Sequence, residues 1–283
     1  MQAQFSNQIV SSFYLWLDRQ LTHFGRAFTN GNSQFYKINP TFNGLFTYAL
    51  PYQPIIFDQS VSGAAIMSGV YLNNTFSLPG QNGLVGINYD KGQIYTSSSY
   101  SSVSGVFGLK EYNIRLTNDM EETLLFETKY EQRPKIGQTI TGLLNNEVTY
   151  PVVYLRMDGP ENSPFALGGL EETEIPIRAV IMTDSEFSLN AIQGMFSDMV
   201  DLNVPLVKDY EMPQNVYGGL KSGYFNYTSM FGGNRDFAYV KRVKVNAFNQ
   251  GIRLEIRRLN PNVYGGFVDF LLCSVRRPRA QFL

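Results

Sequence analysis

Few side chains in this 283-residue sequence could do chemistry. It holds one histidine, His23, and one cysteine, Cys273. A histidine general base, a Ser-His-Asp triad or an imidazole zinc site would rest on His23 alone, with no second ring or thiolate to complete it. His23 therefore reads as a helix-surface or interface residue. A lone thiol excludes an intramolecular disulfide. Cys273 falls inside the apolar run FVDFLLCSV, where a buried structural thiol is expected. Carboxylates remain, with Glu171, Glu172 and Glu174 clustered between two strands, and Asp119, Glu121 and Glu122 in a turn. Hydrolysis by paired carboxylates needs them about 5–10 Å apart in a cleft, in environments that split their acidities. Adjacent surface acids more often only hydrate. Gly168-Gly169 does not open a helix, so no phosphate cradle is expected there. Nor does the sequence carry a P-loop, a GxGxxG turn or a calcium-loop spacing. No cofactor or metal is expected.

The elements that would position these residues follow from periodicity. Ile9, Val10, Phe13, Trp16, Leu17, Leu21 and Phe24 recur at three- and four-residue steps, which predicts a first helix capped at Ser6 or Asn7 and ended near Gly25 or Asn30-Gly31. From about Phe35 to Glu131 helical periodicity disappears. Asn-Gly, Pro-Gly and Asn-Pro turns separate short β-prone runs, with a hairpin of Leu84–Tyr89 and Gln93–Thr96 across Asp90-Lys91-Gly92. Ser97 to Ser104 reads as a loop. An acidic patch (Asp119, Glu121, Glu122, Glu127, Glu131) follows, then a linker-like RPKIGQT.

Pro151 suits the start of a strand whose next residues, Val152 to Leu155, are apolar on both faces, as in a strand covered on both sides. IPIRAVIMT (Ile175–Thr183) is a second strand. Thr183 and Glu186 have capping-box spacing for a second helix with Phe187, Ala191, Ile192, Met195, Phe196, Met199 and Val200 as its apolar stripe. FAYVKRVKVNAF, GIRLEIRRL and GGFVDFLLCSV are predicted as closing strands. The pentapeptide NVYGG occurs at Asn215 and again at Asn262, a shared turn preference.

The net charge of −1 gives no general attraction to nucleic acid or anionic membrane, but it hides a split. From Tyr239 onward nine basic residues face two acidic ones, a +7 segment against −8 for the remainder. Opposite charges so divided could pair one subunit's end with another's face, or meet a phosphate backbone. The 18 tyrosines and 21 phenylalanines suit β-structure and protein interfaces alike. The sequence shows neither a signal-peptide pattern nor an apolar run of membrane-spanning length, so no membrane partner is expected.

The order of these elements resembles the tail terminator proteins of long-tailed phages. Tyr150–Leu155, Ile177–Ile181, Phe187–Val200 and Phe267–Val275 would fill that family's middle strand, second long strand, helix and closing hairpin. The stretches SSFYLWLD, VYLNNTF, GINYDKGQIY, LLFETKYE and ENSPFALGGLEETEIPIRAVIMTDSEFSL look like virion structural proteins of marine and cyanobacterial contractile-tailed phages. The resemblance implies an α+β fold. Residues 1–34 plus 141–283 would form a tail-terminator-like domain, an N-terminal helix on a mostly antiparallel sheet with a second helix and closing strands. Residues 35–140 would be an inserted all-β module. It further implies a non-enzymatic virion protein forming a ring, commonly a homohexamer, that meets tail tube, sheath and head–tail connector proteins and could touch packaged DNA. Arg257, Arg258, Arg276, Arg277, Tyr217 and Tyr224 are the candidate subunit-interface residues. Head-completion or collar proteins, and a β-module binding host saccharide, stand as alternatives. So does a carboxylate hydrolase acting through Glu172.

Overall fold

In the computed structural model the described residues are 5–51, 54–121, 123–127, 130–132, 148–166, 169–214, 219–231, 236–248, 250–259 and 263–276. The fold is α+β. Helix α1 (Phe5–Arg19) begins ahead of the expected caps Ser6 and Asn7, and a π turn (Gln20–Phe24) carries it to Gly25. Eight strands follow: β1 (Phe28–Gln34), β2 (Tyr36–Phe42), β3 (Leu45–Ala49), β4 (Val70–Leu72), β5 (Thr75–Ser77), β6 (Leu84–Asn88), β7 (Gln93–Thr96) and β8 (Val103–Lys110). They form two four-stranded sheets, ordered β1-β8-β4-β5 and β2-β3-β7-β6. The β6–β7 hairpin lies where its turn residues place it, with Asn88 opposite Gln93. Val103 and Ser104, expected in a loop, already belong to β8, where Ser104 pairs with Gln34.

The remaining strands are β9 (Asn113–Leu116), β10 (Tyr130–Gln132), β11 (Val148–Tyr150), β12 (Val152–Met157), β13 (Glu161–Ala166), β14 (Leu170–Thr183), β15 (Asn203–Pro205), β16 (Phe237–Ala247) and β17 (Tyr264–Arg276). Helices α2 (Glu186–Ser197), α3 (Tyr227–Met230) and α4 (Gln250–Leu259) alternate with them. The largest sheet runs β15-β16-β17-β14-β12-β9, with β13 added on β14, and β10 pairs with β11 in a small parallel ribbon. Sheet membership cuts across the boundaries expected from sequence. β1 lies before residue 35 yet pairs with β8, and β9 lies before residue 141 yet joins the large sheet beside β12. RPKIGQT falls outside the described residues.

Strand β12 explains its own composition. Val153 and Leu155 face a core built with Phe13, Trp16 and Leu17 of α1 and with Ile192 and Phe196 of α2. Val152 and Tyr154 face a second core with Leu124, Leu125, Phe248, Ile256 and Val263. All four are 5% exposed or less, so the continuous apolar run is that of a strand covered on both faces. Burial of each such side chain contributes about 1.5–3 kcal/mol. β12 is one strand in from the edge, however, and the centre belongs to β14 and β17, which are paired over 13 positions. Phe270 of β17 ties the layers, with its ring 5.1 Å from Phe13 and 5.4 Å from Phe196.

Several local expectations are corrected. GIRLEIRRL is helix α4, not a strand. Its apolar alternation also satisfies a four-residue step, Ile252 to Ile256, and that pair packs on the second core while Leu254 is left 56% exposed. The cap of α2 is Ser185, whose hydroxyl accepts from the Ser188 N–H, rather than Thr183. In α2, Leu189, Ile192, Phe196 and the following Met199 face the core, while Phe187 is 83% exposed and Val200 lies off the stripe. Gly265 and Gly266 of the second NVYGG are inside β17, not in a turn. The Asn215 copy lies outside the described residues except for Gly219.

Candidate functional site

The face of the large sheet that carries α4 is divided. Under α4 it is apolar, and beyond it the strands display charge. Cross-strand register puts Arg156 of β12 beside Arg178 of β14, Arg178 beside Asp269 of β17, and Asp269 beside Lys244 of β16. Arg178 donates from Nε to Asp269 Oδ1 at 2.7 Å and from Nη2 to Oδ2 at 3.3 Å, and Asn246 donates to the same carboxylate at 2.8 Å. Glu121 closes the row, accepting from Arg156 at 2.9 Å and from Arg178 at 3.0 Å. Burial acts to raise the Glu121 carboxyl, but its backbone hydrogen bond and the two guanidiniums together outweigh it and hold the group below its ordinary value. Hydrogen bonds from Arg178 to Asp269 and Glu121 raise the guanidinium further, keeping it charged. Arg178 is 36% exposed, so each pair contributes at most about 1 kcal/mol, and the row mainly fixes side-chain direction.

A second charged row crosses the same face. Glu172 and Glu174, two residues apart on β14, both accept from Lys241 of β16, at 2.8 and 2.5 Å. Cys273 donates its thiol to Glu172 at 2.9 Å. That bond and the lysine hold the Glu172 carboxyl below its ordinary value. Burial, reinforced by Glu172, pushes the Cys273 thiol up to about 11 and leaves it protonated at neutral pH. These acids share one counter-cation, whereas an acid–base pair needs one carboxyl pushed upward. Glu171 points to the opposite face by strand alternation. Glu122 lies outside the described residues, and Asp119 is exposed.

The candidate interface residues do not form one surface. Arg257 and Arg258 are exposed on the last turn of α4, and Arg257 lies over the Tyr264 ring at 5.6 Å. Arg276 ends β17 and donates from Nε to Thr173 Oγ1 at 3.1 Å. Tyr264 and Arg276 are the first and last residues of one strand, which separates the two sites by about 40 Å at roughly 3.3 Å per residue. Tyr224 is 61% exposed beside Phe225, which is bridged to Asp58. Tyr217 and Arg277 lie outside the described residues. His23 sits in the π turn with its ring edge-on to Phe24 at 4.8 Å.

Sequence reasoning missed three features. Asp58 gathers the Ser60 N–H at 2.9 Å, the Tyr227 N–H at 3.0 Å and Arg19 at 3.3 Å, while the Arg19 guanidinium covers the Tyr227 ring at 4.8 Å. Arg19 and Tyr227 are 39 and 169 residues away from it, beyond any local signal. Lys110 and Asp18 form a buried ion pair 92 residues apart in sequence. Strand β13 has residues 161–165 all exposed, pairs with β14 alone among the described residues and carries Phe165 at 55% exposure. Exposed polar residues around a proline hid it as a turn.

Among the described residues no three His, Cys, Asp or Glu side chains are grouped to hold a metal ion, and no helix is long and apolar enough to cross a membrane. Compared with known proteins, the chain matches no family model and no curated protein.

Proposed function

We propose that this chain is a structural component of a tailed-phage virion, of the tail-terminator or neck kind, which works by assembling into a ring between tail tube and head connector. The observation that carries the reading is β13, an exposed strand whose outer edge is unpaired among the described residues and which carries a half-exposed phenylalanine. Such an edge offers its backbone to another chain over Glu161–Ser163, and Pro164 and the bulge before Ala166 confine the pairing to that stretch. Charge supports the same reading. Arg242, Lys244, Arg253, Arg257 and Arg258 are exposed and make no ion pair among the described residues, while Lys241 is taken by Glu172 and Glu174. The unpaired cations are available to an acidic neighbour in a head-to-tail joint of the kind that closes rings. Assembly in the host cytoplasm and residence in the virion follow from this reading.

Sedimentation velocity on the purified chain, alone and with tail tubes, tests it. A discrete ring-sized species supports the proposal. A monomer at tens of micromolar that also ignores tail tubes overturns it.

A further inference from the structure

A cavity of about 180 Å³ lies between α2, α4 and the first residues of β17. Arg253 and Arg257 line it from α4, one helical turn apart and so on one face. Neither makes an ion pair among the described residues, and stacking on Tyr264 restrains the Arg257 guanidinium. From α2, Asn190 and Gln193 line the opposite wall. Among the lining residues the one opposing charge is Glu186.

From two guanidiniums on one helix face with no ion pair among the described residues, one of them restrained over the Tyr264 ring, and from the polar wall of Asn190 and Gln193 facing them, we infer that this cavity binds a small anionic group, a carboxylate or a phosphate. Guanidinium forks match the geometry of both. The volume of about 180 Å³ admits a group of that size. Glu186 disfavours high negative charge, so removing it strengthens binding. The inference does not depend on the ring reading, because a monomer would hold the same cavity.

Isothermal titration of the full chain at low ionic strength, with inorganic phosphate and separately with acetate, tests it. Saturable 1:1 binding of at least one is expected, weakened tenfold or more in Arg257→Gln and Arg253→Gln and strengthened several-fold in Glu186→Gln. Preference for phosphate would assign the natural group to a phosphate, and preference for acetate to an acidic side chain. Circular dichroism melting confirms that each variant is folded. Absence of binding by both probes, or binding that folded Arg257→Gln leaves unchanged, overturns the inference.

Discussion

Lys110 Nζ lies 2.7 Å from both carboxylate oxygens of Asp18, with the two side chains only 4% and 8% exposed. The lysine ends β8 and the aspartate lies near the end of α1, so one buried bond locks the first helix to the β-rich block. The lysine also sits 4.6 Å over the Phe57 ring, a second attachment to that block. Removing one partner strands a charge in the interior, and we expect Asp18→Ala or Lys110→Ala to lose about 3–5 kcal/mol in urea unfolding. The double change Asp18→Leu with Lys110→Met should lose far less than the two single losses combined. Additive losses would show that the pair does not act as a unit.

Asp90, near that pair, and Glu121, on the large sheet, should respond to pH in opposite directions. Burial pushes the Asp90 carboxyl above its ordinary value of 3.8, only partly offset by Lys110 and by a hydrogen bond from Gln214. The folded state then holds the proton more tightly than the unfolded one. Stability falls as pH rises through the interval between the ordinary and the folded value. Asp90→Asn should therefore be more stable than the parent at pH 7 and equal to it in strong acid. Glu121 is held below its ordinary value, so its contribution is present at neutral pH and lost as pH falls through the folded value. Glu121→Gln should be less stable at pH 7 and converge with the parent in acid. Urea titrations across pH 3–8 separate the two signs.

The paired glycines of β17 give a packing test. A Cβ built on Gly265 would come within 2.2 Å of Phe248 Cε2, and one on Gly266 within 2.3 Å of Gln193 Nε2. Phe248 belongs to the second core and is 4% exposed, so it has nowhere to retreat. Gly265→Ala is expected to cost about 1–3 kcal/mol, as overpacking does. Gly86→Ala, in a strand where nothing lies within 4 Å of the added atom, should be near neutral. Equal melting temperatures for the two variants would contradict this account.

Legibility in the sequence followed range. The α1 stripe from Ile9 to Leu21, the β6–β7 turn and the two-faced run Val152–Leu155 are encoded within a few residues of themselves and stand in the structure, while Phe24, expected on that stripe, is 65% exposed. GIRLEIRRL misled because alternation and a four-residue step coincide over so short a span, and only the cover needed by the second core decides for a helix. The charged rows were invisible as rows. Arg156, Arg178 and Asp269 become neighbours through strand register, and their acids read in sequence as surface clusters or carboxylate pairs. Strand β13 was lost for the reverse reason, since nothing in ENSPFA alternates and only β14 gives it a shape.

That strand also yields the sharpest test of assembly. Phe165 is 55% exposed beyond Pro164, and β13 is held to the molecule by β14 alone among the described residues. If β13 pairs with a neighbouring copy, Phe165 becomes the anchor of that joint, and aromatic anchors at interfaces contribute about 2 kcal/mol or more. Phe165→Ser should then weaken self-association about thirtyfold or more, with the monomer melting temperature moving by no more than a degree or two. Phe187→Ser serves as the control. It is 83% exposed but lies on α2 rather than on an open strand edge, and should leave association untouched. Sedimentation velocity over a concentration series distinguishes the outcomes. Equal association of Phe165→Ser and parent would remove β13 from the joint, and a matching loss in Phe187→Ser would mean that exposed aromatic area alone, not the strand edge, drives the contact.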